Sequence, residues 1–191
     1  MVPLALLGLV TWMGANDYCL TGACDPIFSS GAPGASPFLQ AVAKSPADSL
    51  KVSKGTAAPD WALSDATGRD QSLAAHDGKV VVLNFWAKFC PPCMAEIPSF
   101  NSVAEDYAEA DVAVLGVAID FDDDASLRAF AEKKGIDFAV ACAKPELLEL
   151  FTSGALMVPT TIVIDREGVV SQVLVGYQEE QVLRQAVENV L

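Results

Sequence analysis

Positive charge is what this sequence most lacks. Its 191 residues carry 12 Lys and Arg against 25 Asp and Glu, a formal net charge of -13. A nucleic-acid groove, or a surface held to anionic lipid, needs clustered cations, so neither partner class is expected. Cysteine is scarce as well. Five in the whole chain are too few for a disulfide-stapled scaffold, and the odd count leaves at least one thiol without a partner inside the chain. The single histidine, His76, reads as an ordinary loop residue. Also missing is a membrane-length apolar run. Residues 2–15 are apolar apart from Thr11, which suits a signal-peptide core but falls short of the roughly 20 residues a span needs. No Lys or Arg precedes them, so the true start lies upstream or the segment is the remnant of a longer anchor.

What is present divides into three parts. Residues 1–28 form an apolar N-terminal segment carrying Cys19 and Cys24, whose spacing suits a small structural disulfide or a second redox pair. Both require an oxidising compartment. Residues 29–56 are rich in Ser, Gly, Ala and Pro without periodicity, the composition of a flexible linker. One domain over 57–191 is long enough for a sizeable core.

Within that domain the hydrophobic period changes repeatedly. DWALSD (60–65) and GRDQSL (68–73) read as short strands of a hairpin. KVVVLNFW (79–86) is an unbroken β-branched and aromatic run, the pattern of a strand buried on both faces, and DVAVLGVAI (111–119) is a second. A helix is expected after the cysteines, another at 123–135 closed by lysines and glycine, a short strand at 137–142 and a helix at 144–154. TTIVID (160–165) and GVVSQVLVG (168–176) flank a turn as a hairpin, with a last helix at 178–190. Alternating strands and helices ended by an antiparallel hairpin predict an α/β layered fold with a mixed sheet.

The chemistry concentrates in WAKFCPPCMAEIP (86–98). Cys90 and Cys93 follow the buried strand directly, at the carboxyl end where open α/β sheets build their sites. Proline is favoured at a first helical position because its missing N–H would be unsatisfied there anyway, which makes Pro91 the first helical residue and Cys90 the cap. Cys90 is then expected to be exposed at the positive end of a helix dipole, with a pKa below the free value of about 8.5. Cys93, Ile97, Phe100, Ala104 and Tyr107 fall on one helical face, so Cys93 is expected to point inward. A low-pKa nucleophile with a sheltered partner is what thiol–disulfide exchange requires: Cys90 attacks and Cys93 resolves the mixed disulfide. Pro91 and Pro92 have no N–H, so donors to a Cys90 thiolate begin at Cys93. Weak thiolate stabilisation predicts a reducing pair, nearer about -270 mV than about -120 mV. Lys88 opposes this only if its ammonium leans over the sulfur.

VVLNFWAKFCPPCMAEIP, followed by MVPTTIVIDREG (157–168), resembles the thioredoxin-like proteins of the TlpA and ResA type, extracytoplasmic thiol–disulfide oxidoreductases often tied to cytochrome c maturation. The likeness covers the chain from about residue 57 onward. It implies a three-layer α/β/α thioredoxin-like fold with a mixed central sheet, an N-terminal β-hairpin and a helical insert. It implies a place in the bacterial periplasm or cell envelope, with the N-terminus as a tether. Pro159 would be a cis-proline whose neighbour Val158 offers backbone hydrogen bonds to a substrate chain, with Trp86, Phe89, Pro91 and Pro92 completing the client surface. Glu96 matches an acidic residue near the cysteine pair of ResA-like members. Asn84 stands where cytosolic thioredoxins carry a buried Asp, which shifts proton transfer toward Glu96. Pro98 would kink the helix. Phe89 replaces the usual Trp and Lys88 the usual Ser or Thr, departures that bear on potential and partner surface. The implied partners are disulfide- or thiol-bearing client proteins, apocytochrome c among them, and a membrane electron donor. No cofactor or metal is implied.

Other readings stand beside these. The CxxC pair could be half of a zinc site with Cys19 and Cys24, although the long gap and two prolines argue against it. DFDDD (120–124) reads better as a helix cap than as a calcium loop. Glu96 is also a favourable acid in a first helical turn, and Cys142 reads as an inert buried thiol. At the level of function, a reductase is set against a binding module with a locked CxxC disulfide, and against a disulfide oxidant or isomerase. A peroxiredoxin would need a Thr and Arg arrangement that is absent around Cys90.

Overall fold

A computed structural model describes residues 49–191; Cys19, Cys24 and the N-terminal expectations lie outside the described residues. The run at 79–86 forms β1 (Val80–Trp86), buried at every position, in the middle of a five-stranded sheet of order β3-β2-β1-β4-β5. β2 (Val112–Ala118) runs parallel to β1 and β3 (Ala139–Cys142) parallel to β2. β4 (Thr160–Ile164) is antiparallel to β1, and β5 (Val170–Val175) antiparallel to β4. Parallel neighbours need crossover connections. These contain α1 (Pro91–Asp106) and α2 (Asp124–Lys134). A short α3 (Pro145–Phe151) precedes β4, and α4 (Glu180–Glu188) ends the chain.

Alternation along β1 divides the core. Val81, Leu83 and Phe85 join Leu115, Val117, Ile162 and Ile164 against Trp61, Leu147 and Phe151 on one face. Val82 and Val114 pack on the other face against Phe100 and Val103 of α1 and Leu183 and Val187 of α4. Each fully buried side chain of this size contributes roughly 1.5–3 kcal/mol. The result is the three-layer α/β/α arrangement with a mixed sheet. Gly116 marks its tightest point: a Cβ there would lie 2.8 Å from Phe138 Cε2 and 2.9 Å from Trp86 Nε1.

Three details differ from the sequence reading. The N-terminal hairpin is reduced to one bridge, Ser64 with Asp70, extended by Gln71 N–H to Leu63 O and Leu73 N–H to Trp61 O. The Asp65 carboxylate, accepting from the N–H groups of Thr67 and Arg69, holds the turn in place of longer strand pairing. Residues 49–56, assigned by composition to the linker, lie on the domain: Leu50 bridges Thr152, Val52 is buried, and Gly55 N–H donates to Val170 O. One well-placed valine and a few backbone bonds outweigh a linker-like composition there. The inward face of α1 consists of Cys93, Glu96, Ile97, Phe100 and Val103; Ala104 and Tyr107 are only partly buried. Among the described residues no helix is long and apolar enough to cross a membrane.

Candidate active site

β1 delivers the chain to the cysteines and α1 starts on them. Cys90 is the N-cap, extended at φ -97° and ψ 101°, and its Sγ accepts the Cys93 N–H at 3.2 Å. Pro91 and Pro92 occupy positions whose N–H groups would lack helical acceptors. Cys93 is thus the first residue of the turn able to donate. The two sulfurs form a disulfide with an S–S distance of 2.09 Å.

The expectation that Cys90 is exposed is corrected: Cys90 is 6% and Cys93 3% exposed. Bonded sulfurs share one pocket. Cys90 Sγ lies 3.7 Å from Val158 O, on the loop whose Val158–Pro159 peptide is cis, and both cysteines pack into the cluster containing Trp86 and Ala87. Phe89, Pro91 and Pro92 remain exposed around them. Trp86 does not reach the client surface either. It is 2% exposed and packs at 6.0 Å from Phe121 and at 6.0 Å from Phe130, because strand alternation turns it toward the helical layer beneath the loop. Of the six residues expected to contact a client, Phe89, Pro91, Pro92, Val158 and Pro159 gather around the disulfide, and Trp86 supports them from below.

Glu96 is one turn beyond Cys93 on the same buried face and is 1% exposed. Its Oε1 accepts the Gln178 N–H at 2.6 Å, while Oε2 is buried with no hydrogen-bond partner. Burial pushes its carboxyl up to about 7, the Gln178 bond pulling weakly the other way. A carboxyl poised near neutrality can both accept and return a proton. Asn84, by contrast, is a satisfied amide: its Nδ2 donates to Thr161 Oγ1 at 3.0 Å.

Lys88 is committed elsewhere. Its N–H donates to Asp120 Oδ2 at 2.9 Å, its Nζ donates to Asp120 O at 3.0 Å, and the ammonium sits 4.4 Å above the Phe121 ring. A cation so held is not available to a Cys90 thiolate. In the acidic run, Asp123 caps α2, accepting from Ser126 N–H at 2.8 Å. Among the described residues no group of three or more His, Cys, Asp or Glu side chains is arranged to hold a metal ion. Cys142 is a half-buried free thiol, pushed up to about 11 by burial and by Asp124, so it is protonated at neutral pH. His76 bonds Gln71 Oε1 through Nε2 at 2.9 Å, far along the chain from the cysteines.

Sequence reasoning missed the Gln178 N–H, which carries no local signal because it lies 82 positions from Glu96. The depth of Glu96 was there to be found: Cys93, Glu96, Phe100 and Val103 repeat at steps of three and four.

A CxxC disulfide at the amino end of a helix, beside a cis-proline on a mixed five-stranded sheet, defines the class as thioredoxin-fold thiol–disulfide oxidoreductases. The chain matches the AhpC/TSA family over residues 54–173. It is 33% identical over 140 residues to the thiol-disulfide oxidoreductase ResA of Geobacillus thermodenitrificans, covering 73% of this chain and 79% of that one. A crystal structure of a thioredoxin-family thiol:disulfide interchange protein from Chlorobium tepidum superposes with TM-score 0.65 at 30% identity, covering 72% of this chain and 97% of that one. An exposed lipoprotein thioredoxin of Streptococcus pneumoniae gives TM-score 0.59 at 26% identity, over 69% of this chain and 99% of that one. The chain belongs to the AhpC/TSA family and, within it, to the ResA-like thiol–disulfide oxidoreductases.

Proposed function

We propose that this oxidoreductase works outside the cytoplasm as a reductant of protein disulfides, apocytochrome c among its clients, with Cys90 as nucleophile, Cys93 as resolving thiol and Glu96 as proton acceptor. The observation that carries the reading is the buried, partly unsatisfied Glu96 carboxyl on the same helical face as Cys93. In the reduced protein the Cys90 thiolate attacks a client disulfide, forming the Cys90–client bond and releasing one client thiolate. Cys93 gives its proton to Glu96 and attacks the Cys90 sulfur, which expels the second client thiolate and leaves the Cys90–Cys93 disulfide. Two electrons pass to the client, and both leaving thiolates take protons from solvent or Glu96. A membrane-bound dithiol protein would restore the reduced pair.

The reducing direction is supported by Cys93 N–H as the first helical donor to Cys90 and by the engagement of Lys88 with Asp120 and Phe121. The extracytoplasmic placement draws on the exposed lipoprotein relative, the role in cytochrome c maturation on the resemblance to TlpA and ResA. The domain limits remain part of the proposal: a tethering segment to residue 28, a linker, and the redox domain. Replacing Cys93 by Ser and identifying the disulfide-linked clients by mass spectrometry tests the reading, which predicts trapped partners; a locked binding module traps none. Equilibration with glutathione is expected to give a potential below about -180 mV, and a higher value would make the protein an oxidant or isomerase.

A further inference from the structure

Phe89, Tyr177 and Met157 are the most exposed large hydrophobic side chains among the described residues, at 69%, 49% and 44%. They come from three separate segments that the fold brings to one end of the sheet. Phe89 precedes Cys90 at the exit of β1, and Met157 precedes the Val158 carbonyl that faces the Cys90 sulfur. Tyr177 follows β5 on a short strap. The strap has one foot on the proline loop, where Gly176 N–H donates to Pro159 O at 2.8 Å. Its other foot is on the buried acid, where Gln178 N–H donates to Glu96 at 2.6 Å. Gln178 Nε2 closes the turn on Gly176 O at 2.9 Å, and Gly176 takes φ +87°, a conformation that favours glycine.

The strap therefore fixes Tyr177 at the rim of the disulfide pocket rather than leaving it on a free loop. Residues 89–92, 157–159 and 176–177 contribute no charged side chain, although the chain as a whole carries a net charge of -13. An uncharged apolar rim around a nearly buried disulfide marks a binding surface, because water-exposed aromatic and thioether groups gain only when a partner covers them. Its occupant is set by continuity with the disulfide: whatever reacts at Cys90 must lie across this rim.

We propose that Phe89, Met157 and Tyr177 form a docking surface for an extended, disulfide-bearing polypeptide segment whose residues beside the cysteine are apolar and uncharged. The proposal rests on the reductase reading and adds the client's local chemistry to it. Met157 and Tyr177 act as specificity-determining residues: they select the client segment without touching the sulfur exchange.

The test uses the reduced full chain with peptide disulfides that differ only in the residues flanking the cysteine, Leu and Phe against Asp or Lys, and with hydroxyethyl disulfide as a small uncharged reference. The wild type is expected to prefer the apolar peptide in kcat/KM by roughly tenfold, the effect of one good hydrophobic anchor. The Met157→Ser, Tyr177→Ser double variant is expected to lose that preference through KM, measured relative to hydroxyethyl disulfide. A variant that keeps the preference overturns the proposal, as does an equal fall in rate on every substrate. Wild-type reduction of hydroxyethyl disulfide without any peptide preference overturns the docking surface alone. Failure to reduce any disulfide overturns the reductase reading as well. Sedimentation provides a second check: a dimer that the double variant dissolves would assign the face to another copy of this chain and overturn the proposal.

Discussion

Asp65 and Glu96 are equally buried, each 1% exposed, and they behave as opposites. Asp65 Oδ1 accepts from Thr67 N–H, Thr67 Oγ1 and Arg69 N–H, and Oδ2 accepts from Arg69 Nε and Gln71 Nε2. Burial works against its charge, but these bonds prevail and hold the carboxyl at about 2. Glu96 has the Gln178 N–H on one oxygen and nothing on the other, and it rises to about 7. Depth alone therefore does not distinguish a structural carboxylate from a chemical one. The donors do: a saturated carboxylate is locked as an anion, and an undersupplied one is left able to exchange a proton near neutral pH.

The sharpest way to break that comparison is to remove both groups. Asp65→Ala strands the Thr67, Arg69 and Gln71 donors and should cost about 3–5 kcal/mol in urea unfolding at pH 7, the range for disrupting a buried hydrogen-bonded charge. Exchange activity per folded molecule should survive. Glu96→Gln keeps an acceptor for Gln178 N–H but cannot take a proton. It should slow client reduction by about 100-fold, the lower end of general-base effects, in stopped-flow assays at pH 7, and it should fold at least as well as the wild type. If both variants lose stability alike and neither loses turnover, the two carboxylates are equivalent and the contrast fails.

Acid dependence sharpens the same contrast with a smaller effect. Between pH 7 and 4.5 folded Glu96 binds a proton that the unfolded chain does not, so stability should rise as pH falls through this window, by on the order of 2 kcal/mol. Glu96→Gln should flatten that rise. Asp65 has the reverse sign: its contribution is complete above about 4 and is lost as pH falls toward about 2. Urea midpoints measured from pH 8 to pH 3 check both directions. The smallest change is expected from Lys88→Met. Because the ammonium is spent on Asp120 O and Phe121, the Cys90 titration followed by alkylation rate should stay where it is in the wild type.

Much of the site was legible because its signals are local. β-branched runs specify β1 and β2, the cysteine and proline spacing specifies the start of α1, and MVPTT places the proline loop. What escaped depends on distance or on redox state. Cys90 was expected to be open, yet its bonded sulfur lies against Val158, 68 positions away. Glu96 could be placed near the pair by resemblance, but its single donor comes from the far end of β5. Val52 is buried from within a stretch whose composition is that of a linker, because a strand edge and α3 happened to supply the surface it covers. The Asp65 turn looked like a plain hairpin because sequence does not show which side chains will bend back onto their own backbone.

The central claim is that Glu96 is a carboxyl kept near neutrality for proton transfer beside the cysteine pair. Carbon-13 NMR of the side-chain carboxyls, titrated in one sample of the oxidised protein, addresses it directly. The account predicts a Glu96 midpoint near 7 and an Asp65 midpoint near 2. A Glu96 midpoint at its ordinary value of 4.5 would contradict the account and return the residue to a structural role.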